Sequence, residues 1–448
     1  MKKLLIVQLD EAYFLYETLQ VLEKNQIALK EFEITILANE KEIHKVKENN
    51  NFIFYGLTSN FNNVLNTKYD ISFNLSLNEV SWDFHSKIHS THKVGPYIKE
   101  GQLIVPDHWS TYLLTLKANA PFLTFHLQDI YKNILGIKRL NPEIRKINRV
   151  NRIVYNFFDT SFFSFDEQEK FINLIHQKFP MLPINEISEI DHSSDVSNIL
   201  YIGPSSLDAV KLCDAGATGI IVSRNFQGFN LLPYENGHLF ISTKGKSVSS
   251  NILFSFIDKK FVDNSIPENF PYSVYEFDHE HLFGAYLKCL NESDGNYPFY
   301  QSYVVLWNYV LSLFETNLDV IQCSKSQLEL LKDQRAILAK FIRLHDYAMS
   351  ALDSIYHEAK EKLANSDVID AHIKQLKEVE SISDKISQAY PLLRPILDFY
   401  RIRRAQNDGT TLLVQSENSL LNYSEEHSAL QALDELFSVT LRKNEVNI

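Results

Sequence analysis

Residues 3–24 read KLLIVQLDEAYFLYETLQVLEK, and this stretch decides the fold. Residues 3–9 form a short apolar run that is typical of a β-strand buried on both faces. Residues 12–24 then alternate apolar and polar side chains at helical spacing. Asp10 and Glu11 interrupt the apolar run where a signal peptide would need its cleavage region. We therefore predict that the chain starts with a strand followed by a helix.

The same strand–helix alternation continues outward from this first unit. We predict strands at residues 32–38, 53–55 and 69–75, and again at 153–158, 199–203 and 218–223. Helices are expected at 166–179, where Ser164 and Glu167 have the spacing of a capping box, and at 207–215. Alternating strands and helices indicate βαβ units and mainly parallel sheets. Two such halves with a cleft between them predict two Rossmann-like domains in a GT-B arrangement, joined by a linker at 141–151.

Beyond about residue 282 the sequence takes on helical periodicity. Residues 300–315, 325–344, 346–364 and 367–389 all show it, and glycine is absent between Asn296 and Asp408. This pattern predicts an α-helical C-terminal domain of antiparallel hairpins. The predicted fold class is therefore α/β, with two Rossmann-like domains at 1–150 and 151–265 and an α-helical domain at 282–448.

Composition narrows the class of protein. The formal net charge is −12, which argues against a nucleic-acid binder. Cys213, Cys289 and Cys323 lie far apart and form no CxxC pair, so we expect no disulfide scaffold and a reducing, cytoplasmic compartment. The sequence has no run of 18 apolar residues, so we expect no membrane span and at most peripheral membrane contact.

Five segments carry a more specific pattern. They are IVQLDEAYFLYETLQVL (6–22), YDISFNLSLNEVS (69–81), KVGPYIKEGQL (93–103), WSTYLLTLKANAPFLTFHLQDIYKNILGI (109–137) and YIGPSSLDAVKLCDAGATGIIV (201–222). The first four resemble the heptosyltransferases, glycosyltransferase family 9, and the fourth is the most specific because order and spacing both agree. The fifth resembles the loop, helix and strand with which that family holds the donor nucleotide. Nothing after about residue 265 resembles the family.

The resemblance implies a GT-B fold and transfer of a heptose or similar sugar from a nucleotide-diphosphate donor, with no metal or other cofactor. It implies a carboxylate after the first strand as general base, and the carboxylates available there are Asp10 and Glu11. It implies donor contacts from a helix N-terminus, here with Gly203, Ser205, Ser206 and Asp208. Arg224, directly after the strand at 218–223, is a further candidate donor residue that could supply positive charge. Asn74 and Ser76 end a predicted strand at the carboxyl edge of the sheet, a favoured ligand position, and we expect them to contact the acceptor. His126 and Asp129 are i, i+3 neighbours on the helix that resembles the family, where they could bind the acceptor or form a structural hydrogen bond.

Three departures leave other interpretations open. Tyr13 and Phe14 stand where the family has a Gly-Asp pair, so Asp10 could instead cap the first helix and Glu11 be solvated. The donor loop lacks the family's Asp and His, and Ser205 or Ser206 could be an ordinary N-cap. The segment 159–168 after the strand at 153–158 carries three acids and no basic residue to compensate a diphosphate.

Two other groups of residues invite functional interpretations. His85 and His89 are spaced i, i+4, which would suit zinc if both lay on one helix, although solvated or hydrogen-bonded histidines also fit. A basic cluster could bind an anionic partner or form a solvated, ion-paired helix face; it comprises Arg394, Arg401, Arg403 and Arg404.

The sequence thus leads to three hypotheses. The first is a heptosyltransferase-like glycosyltransferase acting on a cell-surface glycan, as in lipopolysaccharide biosynthesis, or on a protein. The second is a catalytically degenerate relative that binds a protein partner through its helical domain. The third is a rebuilt donor site in which Arg224 or the basic cluster replaces the missing charge. Fold alone does not choose among them.

Overall fold

The fold is taken from a computed structural model. It describes residues 1–46, 52–58, 61–119, 125–138, 150–157, 163–190, 196–224, 232–234, 237–263, 265–279, 284–291, 297–311, 323–361, 366–406 and 411–445. The predicted linker at 141–151 falls almost wholly outside these residues.

The chain divides into two compact units. The first unit contains Met1–Asn119, Ile130–Ile137 and Pro298–Ile448, and the second contains Ala120–Asp129 and Lys138–Tyr297. The C-terminal helices therefore group with the N-terminal sheet in one unit. The predicted domain limits and the GT-B arrangement stay predictions.

The first unit is built on a five-stranded parallel sheet in the order β3-β2-β1-β4-β5. The central strand β1 lies at the start of the sequence quoted above. Its residues 4–8 are fully buried, as expected for a strand that is covered on both faces of the sheet. The strands predicted at 3–9, 32–38, 53–55 and 69–75 are confirmed. The sheet's strands and a following hairpin are β1 Lys2–Gln8, β2 Phe32–Ala38, β3 Ile53–Gly56, β4 Tyr69–Asn74, β5 Ser90–Val94, β6 Tyr97–Lys99 and β7 Gln102–Ile104.

Helices connect these strands and continue into the C-terminal part of the unit. The first six helices are α1 Ala12–Lys24, α2 Gln26–Leu29, α3 Glu40–Val46, α4 Phe61–Leu65, α5 Glu79–Lys87 and α6 His108–Asn119, and α7 Leu127–Ile134 follows. The C-terminal helices are α11 Tyr297–Val310, α12 Lys325–Glu361, α13 Ser366–Ala389, α14 Arg394–Arg404 and α15 Leu412–Glu445. The separate helices predicted at 325–344 and 346–364 are wrong, because α12 runs through residue 345 without a break. No glycine or proline in that stretch would end it.

Aromatic side chains join the C-terminal helices α11 and α14 to helix α6 of the N-terminal part. Tyr112 of α6 packs edge-on against Trp307 of α11 with ring centroids 4.9 Å apart, and Trp307 packs against Phe399 of α14 at 5.5 Å. Pairs of this kind contribute about 0.5–1.5 kcal/mol each beyond their burial. These contacts explain why the C-terminal helices belong to the first compact unit.

The second unit is built on a seven-stranded sheet in the order β14-β13-β12-β11-β10-β8-β9. Its five strands from β9 to β12 are parallel, whereas β13 and β14 are antiparallel. In this sheet β9, β12, β13 and β14 were not predicted from the sequence, and β14 lies where helical texture was expected to begin. The strands are β8 Arg152–Tyr155, β9 Ile184–Glu186, β10 Ile199–Gly203, β11 Thr218–Ser223, β12 Leu239–Ser242, β13 Ser273–Asp278 and β14 Tyr286–Cys289, and the helices are α8 Phe165–Lys178, α9 Leu207–Asp214 and α10 Ser250–Asp263.

No helix among the described residues is long and apolar enough to cross a membrane.

Candidate functional site

The carboxylate of Asp10 lies at the carboxyl edge of the first sheet, two residues after β1. Its Oδ2 accepts a hydrogen bond from the backbone N–H of Leu77 at 2.8 Å, and its Oδ1 accepts one from Nδ2 of Asn78 at 2.8 Å. Asn78 in turn caps α5, because its Oδ1 accepts the N–H of Ser81 at 2.9 Å. Asp10 is half-buried. The result is a fixed, partly exposed carboxylate at the ligand-binding edge of a parallel sheet.

Glu11, the other candidate base, is placed differently. It is exposed and stands at the N-cap position of α1, where its side chain makes no capping hydrogen bond. The N-cap position of α1 is Glu11 and not Asp10, and the carboxylate of Asp10 bonds to the loop after β4. Of the two carboxylates, Asp10 is therefore the one that the fold holds in place.

Asn74 and Ser76 form a buried polar layer beneath Asp10. Asn74 donates to the carbonyl of Pro96 at 2.8 Å and accepts the N–H of Ser76 at 3.1 Å. Ser76 Oγ accepts the N–H of Leu9 at 2.7 Å. Both side chains are fully buried, so the bonds described for them are internal and position the loop that carries Asp10. Direct acceptor contact by these two residues stays a prediction.

A fully buried tyrosine supports the same layer. Gln8 donates to the hydroxyl of Tyr131 at 2.9 Å. Burial, together with the charges of Asp10 and Glu17, raises the pKa of Tyr131 well above its usual value. The hydroxyl is therefore neutral at every physiological pH and acts here as a hydrogen-bonding group. The role of Gln8 was not predicted. A polar side chain directly after the apolar residues 4–7 of β1 could have indicated it.

The predicted donor loop lies at the carboxyl edge of the second sheet. Ser206 is the N-cap of α9, and its Oγ accepts the N–H of Ala209 at 3.1 Å. A Cβ at Gly203 would come within 2.6 Å of the Tyr201 hydroxyl and 2.7 Å of the Asn156 carbonyl oxygen, so only glycine fits there. Tyr201 donates to the carbonyl of Pro204 at 2.8 Å, which fixes the loop. Ser205 and Asp208 complete the loop and first turn, half-buried and exposed respectively.

Arg224 follows β11 at the same edge and is exposed. Next to it lies a turn that the sequence analysis missed, Thr243–Lys246, which follows β12. The N–H of Gly245 donates to the carbonyl of Arg224 at 2.9 Å. The turn reads TKGK directly after an apolar strand, and this concentration of lysine and glycine was a signal that could have been found. It supplies basic side chains that are missing from the loop after β8.

His126 and Asp129 hold the segment of the second unit that precedes residue 130. His126 Nε2 lies 2.9 Å from the carbonyl of Leu232. Asp129 accepts the Tyr234 hydroxyl at 2.7 Å and the N–H of Ala285 at 2.8 Å. Both side chains are buried, and the bonds described for them are internal. Their predicted acceptor contact is not tested by these bonds and stays a prediction.

The histidine segment does not form one helical face. His85 is buried on α5, between the Ser72 hydroxyl at 2.9 Å from Nε2 and the Pro96 carbonyl at 3.1 Å from Nδ1. The helix ends at Lys87, so His89 lies beyond it. Across the described residues, no group of three or more His, Cys, Asp or Glu side chains could hold a metal ion.

The basic cluster is ion-paired. Arg394 and Arg401 bond to Asp398 at 3.3 and 2.9 Å, and Arg403 lies 3.6 Å from Glu425. Arg404 pairs with the fully buried Glu426, whose other oxygen lies 3.4 Å from His345 Nε2. Burial alone would raise the pKa of Glu426, but Arg404 and His345 outweigh burial and hold it below its usual range. This cluster therefore stabilises the packing of α14 on α15.

Comparison with known proteins finds no matching family model and no matching curated protein. Among solved structures, the chain is similar to Escherichia coli heptosyltransferase WaaC with ADP, at 10% identity and a TM-score of 0.38 over 58% of this chain and 98% of that one. It is also similar to the same enzyme with ADP-2-deoxy-2-fluoro heptose, at 9% identity and a TM-score of 0.37 over 58% of this chain and 99% of that one. A glycosyl transferase of family 9 from Veillonella parvula matches at 14% identity and a TM-score of 0.34, over 60% of this chain and 91% of that one. Since these scores are low, the function proposed below depends on the residues of this chain.

Proposed function

We infer that this chain is a glycosyltransferase that moves a sugar from a nucleotide-diphosphate donor to a glycan or protein acceptor. The observation that carries this proposal is the carboxylate of Asp10, held by Leu77 and Asn78 at the carboxyl edge of the first sheet. A general base must lie within hydrogen-bond reach of the acceptor hydroxyl, and its geometry must be fixed before the substrate arrives. The hydrogen bonds from Leu77 and Asn78 fix the geometry of Asp10, and its partial exposure lets an acceptor hydroxyl reach it.

The proposed role of each residue follows from its place. Asp10 accepts the proton of the acceptor hydroxyl as that oxygen attacks the anomeric carbon of the donor sugar. The nucleoside diphosphate leaves with the electrons of the broken glycosidic bond. We assign the donor to the edge of the second sheet that carries Ser205, Ser206 and Arg224. No metal is needed if basic side chains and backbone N–H groups compensate the diphosphate charge.

A second candidate function is supported by a separate observation on the helical part of the first unit. Val414 and Leu421 of α15 lie seven residues apart on one helical face and are 40% and 59% exposed. A contiguous exposed apolar patch marks a surface that contacts another protein, and these two side chains would belong to such a patch. Under this alternative the chain is a catalytically degenerate relative that binds a protein partner through its helices.

Thermal unfolding with ADP, GDP, UDP and CMP and their sugar conjugates tests the first proposal. A ligand at 100 times its Kd stabilises the native state by about 2.7 kcal/mol, which is easily seen as a raised Tm. We expect a shift with one nucleotide, retained in Asp10→Asn, and release of that nucleotide from its sugar conjugate by the wild type but not by Asp10→Asn. If no nucleotide raises the Tm, the transferase proposal fails and the partner-binding alternative takes its place.

A further inference from the structure

The loop after β12 is a tight turn with an unusual backbone. Thr243 N–H donates to the carbonyl of Ser223 at 2.9 Å, and Lys246 N–H donates to the carbonyl of Thr243 at 3.1 Å. Lys244 has a φ of 51° and Gly245 a φ of 78°. Positive φ at both central positions defines a type I′ turn. Lysine is rare in the first of these positions, where asparagine or glycine is normal.

The turn brings basic residues from two neighbouring strands together. Gly245 N–H bonds to the carbonyl of Arg224 at 2.9 Å, which joins the turn to the residue that follows β11. Adjacent strands lie about 4.8 Å apart, so Arg224, Lys244 and Lys246 emerge from one small area of the sheet edge. All three are exposed. No ion pair involves Arg224 or Lys246 within the described part of the chain, so their charge is available to a ligand.

Two observations favour the turn over the start of α10 as the surface that binds an anion: the open space beside Gly245 and the position of the Glu167 carboxylate. No atom lies within 4 Å of the position that a Cβ of Gly245 would occupy, so the turn faces open space. At the N-terminus of α10, four residues beyond the turn, the N–H of Ser250 donates to Glu167. Hydrogen bonding from Ser250 lowers the pKa of Glu167, which keeps the carboxylate charged. A bound anion would be repelled by this carboxylate at the helix end and attracted by the basic turn.

The spacing along the edge suits a diphosphate. β10, which leads into Ser205 and Ser206, lies next to β11, and β11 lies next to β12. The serines are therefore about 10 Å, two strand spacings, from the turn. A nucleoside diphosphate could place its phosphates on the basic turn and extend towards the serines. Lysine and arginine are the side chains that bind phosphate oxygens most strongly.

We propose that Arg224, Lys244 and Lys246 form the phosphate-binding site of the second unit and take the diphosphate of a nucleoside diphosphate. This proposal deepens the donor site given above and depends on it. In this proposal, the positive charge that the loop after β8 lacks is supplied by the loops after β11 and β12, at the same edge of the sheet.

Binding titrations with ADP, GDP, UDP, the matching monophosphates and inorganic pyrophosphate test the site. The variants are Arg224→Gln, Lys246→Gln and Lys244→Asn, the last of which removes the charge with a residue that tolerates positive φ. Lys259→Gln is the matched control, since it removes one positive charge from α10 roughly 14 Å along the helix from Ser250. Unchanged Tm values show that the variants fold.

We expect each of the three site variants to weaken diphosphate binding about tenfold or more, and Lys259→Gln to change it less than about twofold. The salt dependence of binding should also fall, because fewer charges contact the ligand. Monophosphates should lose less affinity than diphosphates in each site variant. Tighter binding of a nucleoside diphosphate than of pyrophosphate would identify the nucleotide, not free pyrophosphate, as the ligand.

Failure of this site and failure of the proposed function give different results. If the variants bind nucleoside diphosphate as the wild type does, while Ser206→Ala weakens it, the basic turn is not the site and the transferase proposal stands. If pyrophosphate binds and the variants weaken it, but no nucleotide binds and no sugar is transferred, the anion site stands and the transferase proposal fails. If the wild type binds none of these anions, the site is refuted.

Discussion

Exchanging Asp10 and Asn78 tests whether the candidate base is held by the contacts described. In Asp10→Asn, two donors, the N–H of Leu77 and the amide of Asn78, face a side chain with one acceptor oxygen. Loss of one hydrogen bond to a charged group costs about 1.5–3 kcal/mol, and the lower end applies because Asp10 is half-buried. In Asn78→Asp, two carboxylates meet at about 3 Å, which costs about 1.4 kcal/mol in water and about 5.5 kcal/mol at an effective dielectric constant of 20.

The double variant Asp10→Asn/Asn78→Asp restores both contacts with the roles reversed. The new amide at position 10 would accept from Leu77 and donate to the new carboxylate at position 78, and aspartate is also a good N-cap for α5. We therefore expect the double variant to unfold with a free energy within about 1 kcal/mol of the wild type. The coupling energy between the two sites should be at least about 2 kcal/mol.

Urea unfolding, followed by tryptophan fluorescence, measures the unfolding free energies of these variants in the first unit, which contains Asp10 and Asn78. All three tryptophans, Trp82, Trp109 and Trp307, lie in the first unit, so their fluorescence reports that unit alone. The double variant should be stable yet inactive in sugar transfer, because the carboxylate has moved to the other residue. A double variant as unstable as the sum of the single ones would refute the contact, and a fully active double variant would refute Asp10 as the base.

Three further predictions concern single groups. Burial lowers the pKa of His85 to about 4, below its unfolded value near 6.5. We therefore expect the first unit to keep its full stability above pH 6.5 and to lose up to about 3 kcal/mol of unfolding free energy as pH falls towards 4. Urea unfolding at several pH values should show this dependence, and His85→Gln should remove most of it. Gly203→Ala should destabilise the second unit by about 1–3 kcal/mol, measured as a lowered Tm, and adding Tyr201→Phe should recover only part, because the Asn156 carbonyl still clashes. Glu426→Gln should cost about 3–5 kcal/mol by leaving Arg404 buried without its partner charge, whereas the neighbouring, more exposed pair should make Glu425→Gln cost under about 1 kcal/mol; equal losses in the two variants would contradict this reasoning.

Local sequence patterns predicted seven of the ten parallel strands in the described residues and missed β5, β9 and β12. Strands β1 and β10 contain the uninterrupted apolar runs LLIV and ILYI, and such runs have few alternatives inside an α/β protein. The capping box at α8 was only half right. Ser164 does accept the N–H of Glu167 at 3.3 Å, but the Glu167 carboxylate bonds to Ser250 instead of turning back to the cap. A local pattern cannot show that a residue 83 positions away offers a better donor.

The candidate site was harder to predict for the same reason. Asp10 could be named as a carboxylate after the first strand, but its partner Asn78 lies 68 residues further along and meets it only because β4 pairs with β1. Likewise, Arg224 and Gly245 meet only because β11 pairs with β12. Sheet register, which depends on long-range pairing, decides which loops share an edge. Polar residues immediately after buried strands should therefore be compared with one another before any one of them is assigned a role alone.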